Sequence, residues 1–264
     1  MWGIVPAAGL GSRIQPLAFS KELLPVGCRR DGETERPRAV SEYLLDRMVT
    51  AGVTKICFVI APGKSDVMDY YGGRYGGASI CYAMQHRPNG LCDAVFTALP
   101  FIDRAEDVLI GLPDTVWFPE DGFAKLPHAS FSFLLFPVDD PENFDAVVAD
   151  GEGRVQEIQV KQHDATSSWI WGAFRMPGAV LAALHALWRE RNEQDPYIGT
   201  LVNAYLARGG SAHAVYSGTR YIDVGTVRGY REAVTLLGDA PVVSHALQGS
   251  KPRRGRSRAD VAES

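Results

Sequence analysis

A glycine turn with two cations close behind it is the feature of the sequence best suited to chemistry. Gly9 and Gly11 follow a short apolar run at residues 4–7, and Arg13 and Lys21 come next. Because glycine lacks a Cβ, it reaches positive φ and lets backbone N–H groups close around an anionic oxygen. The apolar run predicts a buried strand that leads into this turn. A strand, a glycine turn and two nearby cations together predict a site for a polyphosphate.

Two better-known phosphate loops do not fit this turn. A P-loop requires a Lys directly after its last glycine and then a Ser or Thr. Gly11 is followed instead by Ser12 and Arg13. A dinucleotide-binding fingerprint requires a third glycine three residues after the second, and Ile14 occupies that position. The turn therefore indicates a different kind of phosphate site.

The longer pattern around the turn is more specific than its glycines. G-x-G-x-R is followed by Pro16, by Ser20 and Lys21, and by the apolar segment LLPV. This run resembles the signature of the glucose-1-phosphate thymidylyltransferase-like sugar nucleotidyltransferases, and the resemblance extends over roughly residues 1–235. That family joins a nucleoside triphosphate to a sugar 1-phosphate and releases pyrophosphate. The resemblance implies the same reaction for this chain.

The resemblance also implies roles for the residues of the turn. Ala8, Gly9 and Gly11 would bind the nucleotide. Arg13 would hold the leaving β,γ-phosphates through its planar guanidinium, and Lys21 would stabilise the charge that develops on the α-phosphate. Both substrates are anions, so concentrated positive charge and in-line geometry supply much of what the reaction needs.

Two aspartates match the metal-binding positions of the same family. Asp114 ends the segment DVLIGLPD, at the edge where an open α/β sheet forms its ligand crevice, and Asp223 lies in YIDVGT. The resemblance implies that both hold Mg²⁺, a cation that prefers a few carboxylates together with phosphate oxygens and water. An isolated Asp after a strand is usually a turn residue or a helix cap. Two aspartates in one set of motifs favour the metal site.

The segment YAMQHRPNGLCDA at residues 82–94 resembles the family's base-recognition stretch, Q-x-x-P-x-G-L. The resemblance implies that Gln85, Pro88 and Gly90 bind the nucleotide. Gln85 can donate to and accept from one edge of a pyrimidine, and Gly90 permits a close approach of the backbone to the base. A plain strand-turn-helix connection would explain Gly90 but not Gln85. Asp93 departs from the family pattern and fits an acid in the first turn of a helix.

The residues that would bind the sugar phosphate match the family less closely. Lys161 lies where the family supplies a Lys to the phosphate, and Gly172 matches a glycine that lets the hexose approach a strand. Phe144 and Asp145 stand where Tyr-Gly is usual, and Val160 replaces a Glu that contacts sugar hydroxyls. The residues expected to bind this substrate are Asp145, Lys161 and Gly172.

Three functions are compatible with these residues. The leading one joins dTTP or UTP to a sugar 1-phosphate, with glucose 1-phosphate as the expected sugar and Mg²⁺ as the cofactor. A CTP-dependent enzyme acting on another phosphorylated small molecule, such as phosphocholine, is kept open by Phe144, Asp145 and Val160. The third is a non-catalytic nucleotide- or sugar-sensing module, although a sensor needs neither both cations nor both metal ligands.

Strand-like and helix-like segments alternate along the chain, which predicts an α/β fold. We expect three layers, in which a mostly parallel mixed sheet of Rossmann-like type is covered by helices on its two faces. The best-defined predicted helices span residues 39–51, 65–71, 177–191, 198–208 and 228–237. The best-defined predicted strands span residues 55–60, 78–83, 107–112 and 155–160.

The composition sets limits on location and partners. At 264 residues and 46% hydrophobic content, the chain can bury a core without disulfides. Its net charge of −4 argues against general binding to nucleic acid or to membrane surfaces. No apolar run approaches the ~18–20 residues that span a bilayer, and no signal-peptide pattern precedes the first strand. Four scattered cysteines fit reduced thiols, so we expect a cytoplasmic protein, with a homo-oligomer possible.

The last residues differ from the rest. We predict one nucleotidyltransferase domain at residues 1–239 and a separate tail at residues 240–264. The tail has no apolar period and ends in SKPRRGRSRADVAES. Such a composition predicts disorder, and an arm that binds nucleic acid is the alternative.

Overall fold

A mixed ten-stranded sheet lies at the centre of the computed structural model, which describes residues 1–87 and 89–238. In chain order the strands are β1 (Trp2–Pro6), β2 (Pro25–Asp31), β3 (Thr34–Ala39), β4 (Lys55–Ile60), β5 (Arg74–Tyr75), β6 (Ala78–Met84), β7 (Asp107–Gly111), β8 (Thr115–Phe118), β9 (Ser132–Pro137), β10 (Asp145–Ala149), β11 (Val155–Val160), β12 (Trp169–Pro177), β13 (His213–Val215) and β14 (Arg220–Asp223). The helices are α1 (Val40–Thr50), α2 (Ser65–Tyr71), α3 (Gly90–Thr97), α4 (Gly178–Glu190), α5 (Ile198–Ala207) and α6 (Val227–Leu237). Pro88 and residues 239–264, which include the predicted tail, lie outside the described residues.

The sheet has a parallel centre and an antiparallel flank. Its strand order is β11-β10-β12-β7-β1-β4-β6-β5, and β9 pairs with both β12 and β13. Strands β7, β1, β4 and β6 run parallel, whereas β12 pairs antiparallel with β7, β10 with β12, and β11 with β10. Within residues 1–87 and 89–238, no helix is long and apolar enough to cross a membrane.

Both faces of the sheet are buried, which confirms the predicted three-layer α/β fold. Neighbouring residues of β1 point to opposite faces: Ile4 packs with α3, α4 and α5, while Val5 packs with α1 and α2. Both side chains are fully buried. A parallel strand covered on both sides requires a continuous apolar run, which is why residues 4–7 contain no polar side chain.

The carboxyl edge of the parallel strands positions the charged residues. Strand β1 ends at Pro6 and leads into the glycine turn. Strand β7, which pairs with β1, ends at Gly111 and is followed by Asp114. A separate two-stranded ladder joins β8 to β14 antiparallel and pairs Thr115 with Asp223. This ladder brings Asp223 next to Asp114 although more than a hundred residues separate them in the chain.

Two local features place charged residues in defined positions. The polar run at residues 28–38 lies in the β2–β3 hairpin, and Arg29 in it is buried against Glu42, with its Nη1 2.6 Å from Oε2 of Glu42. The helix predicted at residues 65–71 forms α2, and Lys64 occupies the cap position before its first residue, Ser65. Both Lys64 and the helix residue Asp66 contact the loops of the site.

Candidate active site

A cleft of about 280 Å³ opens at the carboxyl ends of β1 and β7. Seven of the residues predicted from the sequence line it: Gly9, Arg13, Lys21, Asp114, Asp145, Lys161 and Asp223. They come from both ends of the chain, and those near the main sheet lie after β1 or on the β7 side of β1. The cleft therefore gathers the predicted cations, the predicted metal ligands and two of the predicted substrate residues.

Lys21 lies directly beneath the glycine turn. Its Nζ donates to Oδ2 of Asp114 at 2.5 Å, and both side chains are largely buried. Gly11 has φ of +67°, and a Cβ there would lie 2.9 Å from Cδ of Lys21. A side chain at this position would therefore strain the turn and collide with the lysine stem. The second glycine of the motif allows Lys21 to reach the cleft.

Arg13 and Asp223 form a second, more exposed ion pair. Nη1 of Arg13 lies 2.7 Å from Oδ2 of Asp223, and the arginine side chain is 62% exposed. The other Asp223 oxygen, Oδ1, accepts from the backbone N–H of Gly225 at 3.0 Å. The aspartate is thus fixed by the turn that follows β14, while Arg13 remains open to the cleft.

The two ion pairs shift the pKa values of their members. Burial alone would lower the pKa of Lys21, but the adjacent Asp114 carboxylate raises it above its usual value. Burial alone would raise the pKa of Asp114, and the Lys21 ammonium instead holds it below its usual value. Burial and the charge of Asp114 raise the pKa of Asp223 against the opposing charge of Arg13. Lys21 and Asp114 therefore stay charged at neutral pH.

Lys64 forms hydrogen bonds to the backbone of the glycine turn, a role that we did not predict from the sequence. Its Nζ donates to the carbonyl oxygens of Ala7 at 2.7 Å and of Gly9 at 2.8 Å. It also lies 2.9 Å from both carboxylate oxygens of the fully buried Glu22. Two carbonyl oxygens of the turn are therefore paired with a cation, and Lys64 ties the turn to the buried Glu22. The position of Lys64 in the sequence is the feature that could have indicated this role. Lys64 follows the predicted strand at residues 55–60, which forms β4 and pairs with β1.

The wall formed by β10 and β11 carries the other two charged residues of the cleft. Asp145 is 9% exposed and accepts a hydrogen bond from the indole N–H of Trp171 at 3.3 Å. Burial raises the pKa of Asp145 to about 6, against the Trp171 hydrogen bond and the charge of Lys161. Lys161 follows β11, and its Nζ lies 4.6 Å from the ring centroid of Tyr197. This wall combines one anion, one cation and aromatic faces.

Apart from Leu91, the described residues of the predicted base-recognition stretch lie beside the cleft rather than in its lining. The side-chain nitrogen of Gln85 donates to Oδ2 of Asp93 at 2.6 Å and to the Gly90 carbonyl at 3.2 Å. Gly90 has φ of +91°, and a Cβ there would lie 2.5 Å from the carbonyl oxygen of Pro196. The carbonyl of Pro196 also accepts from the N–H of Leu91, which does line the cleft.

The remaining predicted residues take structural positions near the site. Ala8 is buried in the turn. Gly172 lies at an irregularity in β12, where a Cβ would come within 2.6 Å of the rings of Phe136 and Tyr221. Pro88, the other predicted nucleotide contact, lies outside the described residues. Among the residues of the described ranges, Ala8, Gly11, Gln85, Gly90 and Gly172 do not line the cleft.

A magnesium ion fits the two aspartates. A Cβ on Gly225 would lie 2.5 Å from Oδ2 of Asp114 and 2.9 Å from Oδ1 of Asp223, so both carboxylates face the small gap left by the glycine. Two carboxylates completed by phosphate oxygens and water match the preference of Mg²⁺. No group of three His, Cys, Asp or Glu side chains suited to a metal occurs in residues 1–87 and 89–238. A triphosphate and water would therefore supply the remaining ligands.

Charged groups converging at the carboxyl edge of a parallel-centred sheet define a nucleotide-handling α/β protein. A profile of the nucleotidyl transferase family matches residues 2–239, and the chain belongs to that family. The chain is therefore a nucleotidyltransferase. It is 28% identical over 249 residues to the glucose-1-phosphate thymidylyltransferase of Neisseria meningitidis, a match that covers 90% of this chain and 82% of that protein.

Solved structures share the fold. A Bacillus anthracis protein assigned as a glucose-1-phosphate thymidylyltransferase, solved in complex with sucrose, superposes with a TM-score of 0.77 at 24% identity and covers 92% of this chain and 98% of its own. The UTP-bound UGPase from Acinetobacter baumannii superposes with a TM-score of 0.71 at 18% identity and covers 89% and 92%. At these identities the likeness concerns the fold alone.

Proposed function

We propose that this chain is a Mg²⁺-dependent enzyme that joins dTTP or UTP to a sugar 1-phosphate, with glucose 1-phosphate as the preferred sugar, and releases pyrophosphate. The observation that carries the proposal is the convergence of two cations and two carboxylates on one cleft: Arg13, Lys21, Asp114 and Asp223. A relative named for thymidylyl transfer supports a pyrimidine nucleotide.

The triphosphate is assigned to the glycine turn. Backbone N–H groups from Ala8 to Gly11 meet the phosphate oxygens. Arg13, which is exposed and carries a planar fork, holds the leaving pyrophosphate. The buried Lys21 stabilises the charge that develops on the α-phosphate, where a low-dielectric setting strengthens its effect. The base is assigned to the neighbouring stretch that contains Gln85, Pro88 and Gly90.

The sugar 1-phosphate is assigned to the wall formed by β10 and β11. Lys161 holds its phosphate and Asp145 lies at the sugar. Gly172 makes room for the ring of Tyr221, which lines the cleft. An oxygen of this phosphate attacks the α-phosphorus of the triphosphate, and the bond to the β-phosphate breaks. Asp114 and Asp223 would hold Mg²⁺, which would neutralise phosphate charge when bound. The remaining contribution of the chain is to align two anions in one cleft.

The test is pyrophosphate release measured with a grid of substrates. Each of dTTP, UTP, CTP, ATP and GTP is combined with glucose 1-phosphate, galactose 1-phosphate, N-acetylglucosamine 1-phosphate or phosphocholine, with Mg²⁺ or with EDTA. The proposal expects the highest kcat/KM for dTTP or UTP with glucose 1-phosphate and no release in EDTA. Turnover only with CTP and phosphocholine would overturn it, as would nucleotide binding without turnover of any pair.

Asp223→Asn serves as the variant that links this activity to the cleft. Its Oδ1 still accepts from Gly225, but the metal loses one charged ligand. We expect a higher Mg²⁺ concentration at half-maximal activity. The matched control is Asp121→Asn, since Asp121 is an exposed carboxylate that pairs with Lys125 at 2.7 Å. An unchanged metal titration in Asp223→Asn would remove this residue from the site.

A further inference from the structure

Asp145 is a buried carboxylate whose hydrogen-bonding capacity is mostly unused. It is 9% exposed, and the indole of Trp171 is its one side-chain donor among residues 1–87 and 89–238. Within those ranges it forms no ion pair, and Lys161 acts on it only at longer range. An ionised carboxylate offers about four acceptor positions. Its free acceptor positions face the cleft that it lines.

Such a group is unfavourable for the fold. Burial raises the pKa of Asp145 to about 6, with Trp171 and Lys161 opposing the shift. The folded state therefore holds a charge that would be better solvated in the unfolded chain. A carboxylate that lines a cleft and destabilises the protein is a candidate for ligand binding.

The surroundings of Asp145 indicate what ligand it would receive. Trp171, Tyr197 and Phe144 contribute aromatic faces to the same cleft. Lys161, whose positive charge acts on the carboxylate at longer range, lies against the ring of Tyr197. A ligand ammonium would therefore meet the charge of Lys161, whereas a neutral hydroxyl would not. Aromatic faces with a few polar groups suit a ring that has apolar faces and hydroxyl edges.

We propose that Asp145 determines the acceptor specificity of the reaction, since its carboxylate accepts hydrogen bonds from ring hydroxyls of the sugar 1-phosphate while Lys161 holds the phosphate. This inference rests on the proposed function and assigns the acceptor to uncharged polyhydroxylated phosphates. The triphosphate occupies the other group of charges, around Lys21. Asp145 therefore acts on the acceptor and not on the nucleotide.

The register of the sheet allows the carboxylate to be moved. Asp145 on β10 lies directly opposite Val160 on β11. Side chains of directly opposite residues share one face of the sheet. A Cβ on Gly199 would lie 2.6 Å from Cγ2 of Val160 and 3.3 Å from Oδ2 of Asp145, so both side chains reach the same place. A carboxylate introduced at position 160 would enter the same part of the cleft.

The first experiment is steady-state kinetics of Asp145→Asn with glucose 1-phosphate and with its monodeoxy analogues. We expect the KM for glucose 1-phosphate to rise about ten- to hundredfold, the change that follows from lost charge-assisted hydrogen bonds. The KM for the triphosphate should stay within about twofold. The effect should shrink for the deoxy analogue that lacks the bonded hydroxyl. Glu157→Gln, which alters an exposed carboxylate on β11, is the matched control and should change neither KM.

The second experiment moves the carboxylate. Asp145→Ala should raise the acceptor KM, and Asp145→Ala combined with Val160→Glu should recover at least part of the loss. Recovery would distinguish a contact to the ligand from a role in packing, since packing at position 145 is equally altered in both variants. Thermal melting of each variant establishes that it is folded.

The outcomes separate the inference from the proposed function. Sugar turnover with an unchanged acceptor KM in Asp145→Asn would reject the inference alone. An equal loss for every deoxy analogue would also reject it, because no hydroxyl would then depend on the carboxylate. No turnover with any sugar 1-phosphate would reject the proposed function, and the inference with it.

Discussion

At the scale of residues, the two cations nearest the glycine turn are each paired with one carboxylate. Lys21 holds Asp114 and Arg13 holds Asp223, so positive and negative charges balance inside the site. A magnesium–triphosphate complex offers the same charges in reverse, with anionic oxygens for the cations and a metal for the carboxylates. When the ligand binds, each side chain can therefore exchange its protein partner for a ligand group of opposite charge, and no buried charge is left without a partner.

Lys21→Met tests the role of the buried cation. Because its charge acts on the α-phosphate mainly in the transition state, we expect kcat to fall about 10²–10³-fold, while the Kd for the triphosphate changes less than about tenfold. Single-turnover kinetics and equilibrium titration measure the two quantities. Lys125→Met, at a half-exposed lysine paired with Asp121, should change neither. An equal loss in both quantities would contradict a transition-state role.

The stability of Asp145→Asn tests whether Asp145 burdens the fold. The pKa of Asp145 is about 6 in the folded protein against a usual value of 3.8. As pH rises from about 4 to 6, the unfolded chain loses its proton first, so the wild type loses stability in that window. At pH 7.5 the variant should be more stable by up to about 3 kcal/mol, and below pH 4 the difference should vanish. Urea denaturation at the two pH values measures this, and a less stable variant at pH 7.5 would show a structural role.

At the scale of elements, the start of α2 holds two segments of the site. Lys64 binds the carbonyls of the glycine turn, and Asp66 accepts from the N–H and Oγ of Ser20 at 2.6 and 2.7 Å. Ser20 directly precedes Lys21. One short helix therefore fixes both the glycine turn and the segment that carries Lys21.

Lys64→Met separates this positioning from simple stabilisation. The variant leaves Glu22 buried without its cation, which should lower stability on the order of 3 kcal/mol. It should also raise the KM for the triphosphate, because the turn carbonyls lose their donor, while the acceptor KM stays the same. Adding Glu22→Gln removes the stranded charge, so unfolding experiments should show recovered stability with the triphosphate KM still raised. Recovery of both together would mean that Lys64 acts on stability alone.

Local sequence patterns predicted several helices and strands well, because the formation of a helix or strand depends largely on residues close together in the chain. The apolar run KICFVI became β4 with the expected bounds, and α5 begins at the expected Ile198. Long-range pairing was out of reach. The β8–β14 ladder that joins Asp114 to Asp223, and the register that sets Asp145 opposite Val160, depend on contacts between distant strands. The resemblance of the motifs to those of the family predicted that Asp114 and Asp223 act together, whereas the local sequence around each residue could not.

At the scale of the whole molecule, α6, the last helix of the described residues, packs against the elements that carry the site. Helix α6 packs on β2 and β14 through a small core that includes Val26, Ile222 and Ala233. A Cβ on Gly27 would lie 2.9 Å from the carbonyl oxygen of Leu237, so the helix end also contacts the β2–β3 hairpin. We propose that the catalytic unit ends at residue 239, in agreement with the extent of the family match.

Two truncations test this boundary against each other. A chain ending at Gly238 keeps all of α6, so its melting temperature should stay within about 2 °C of the full chain and its kcat should be unchanged. A chain ending at Thr226 loses Ala233 and uncovers the apolar side chains beneath it, including Ile222, the neighbour of Asp223. That chain should be insoluble or unfolded. Loss of activity in the chain ending at Gly238 would place a functional residue beyond residue 238. Retained activity in the chain ending at Thr226 would show that Asp223 is held by the β8–β14 ladder without support from α6.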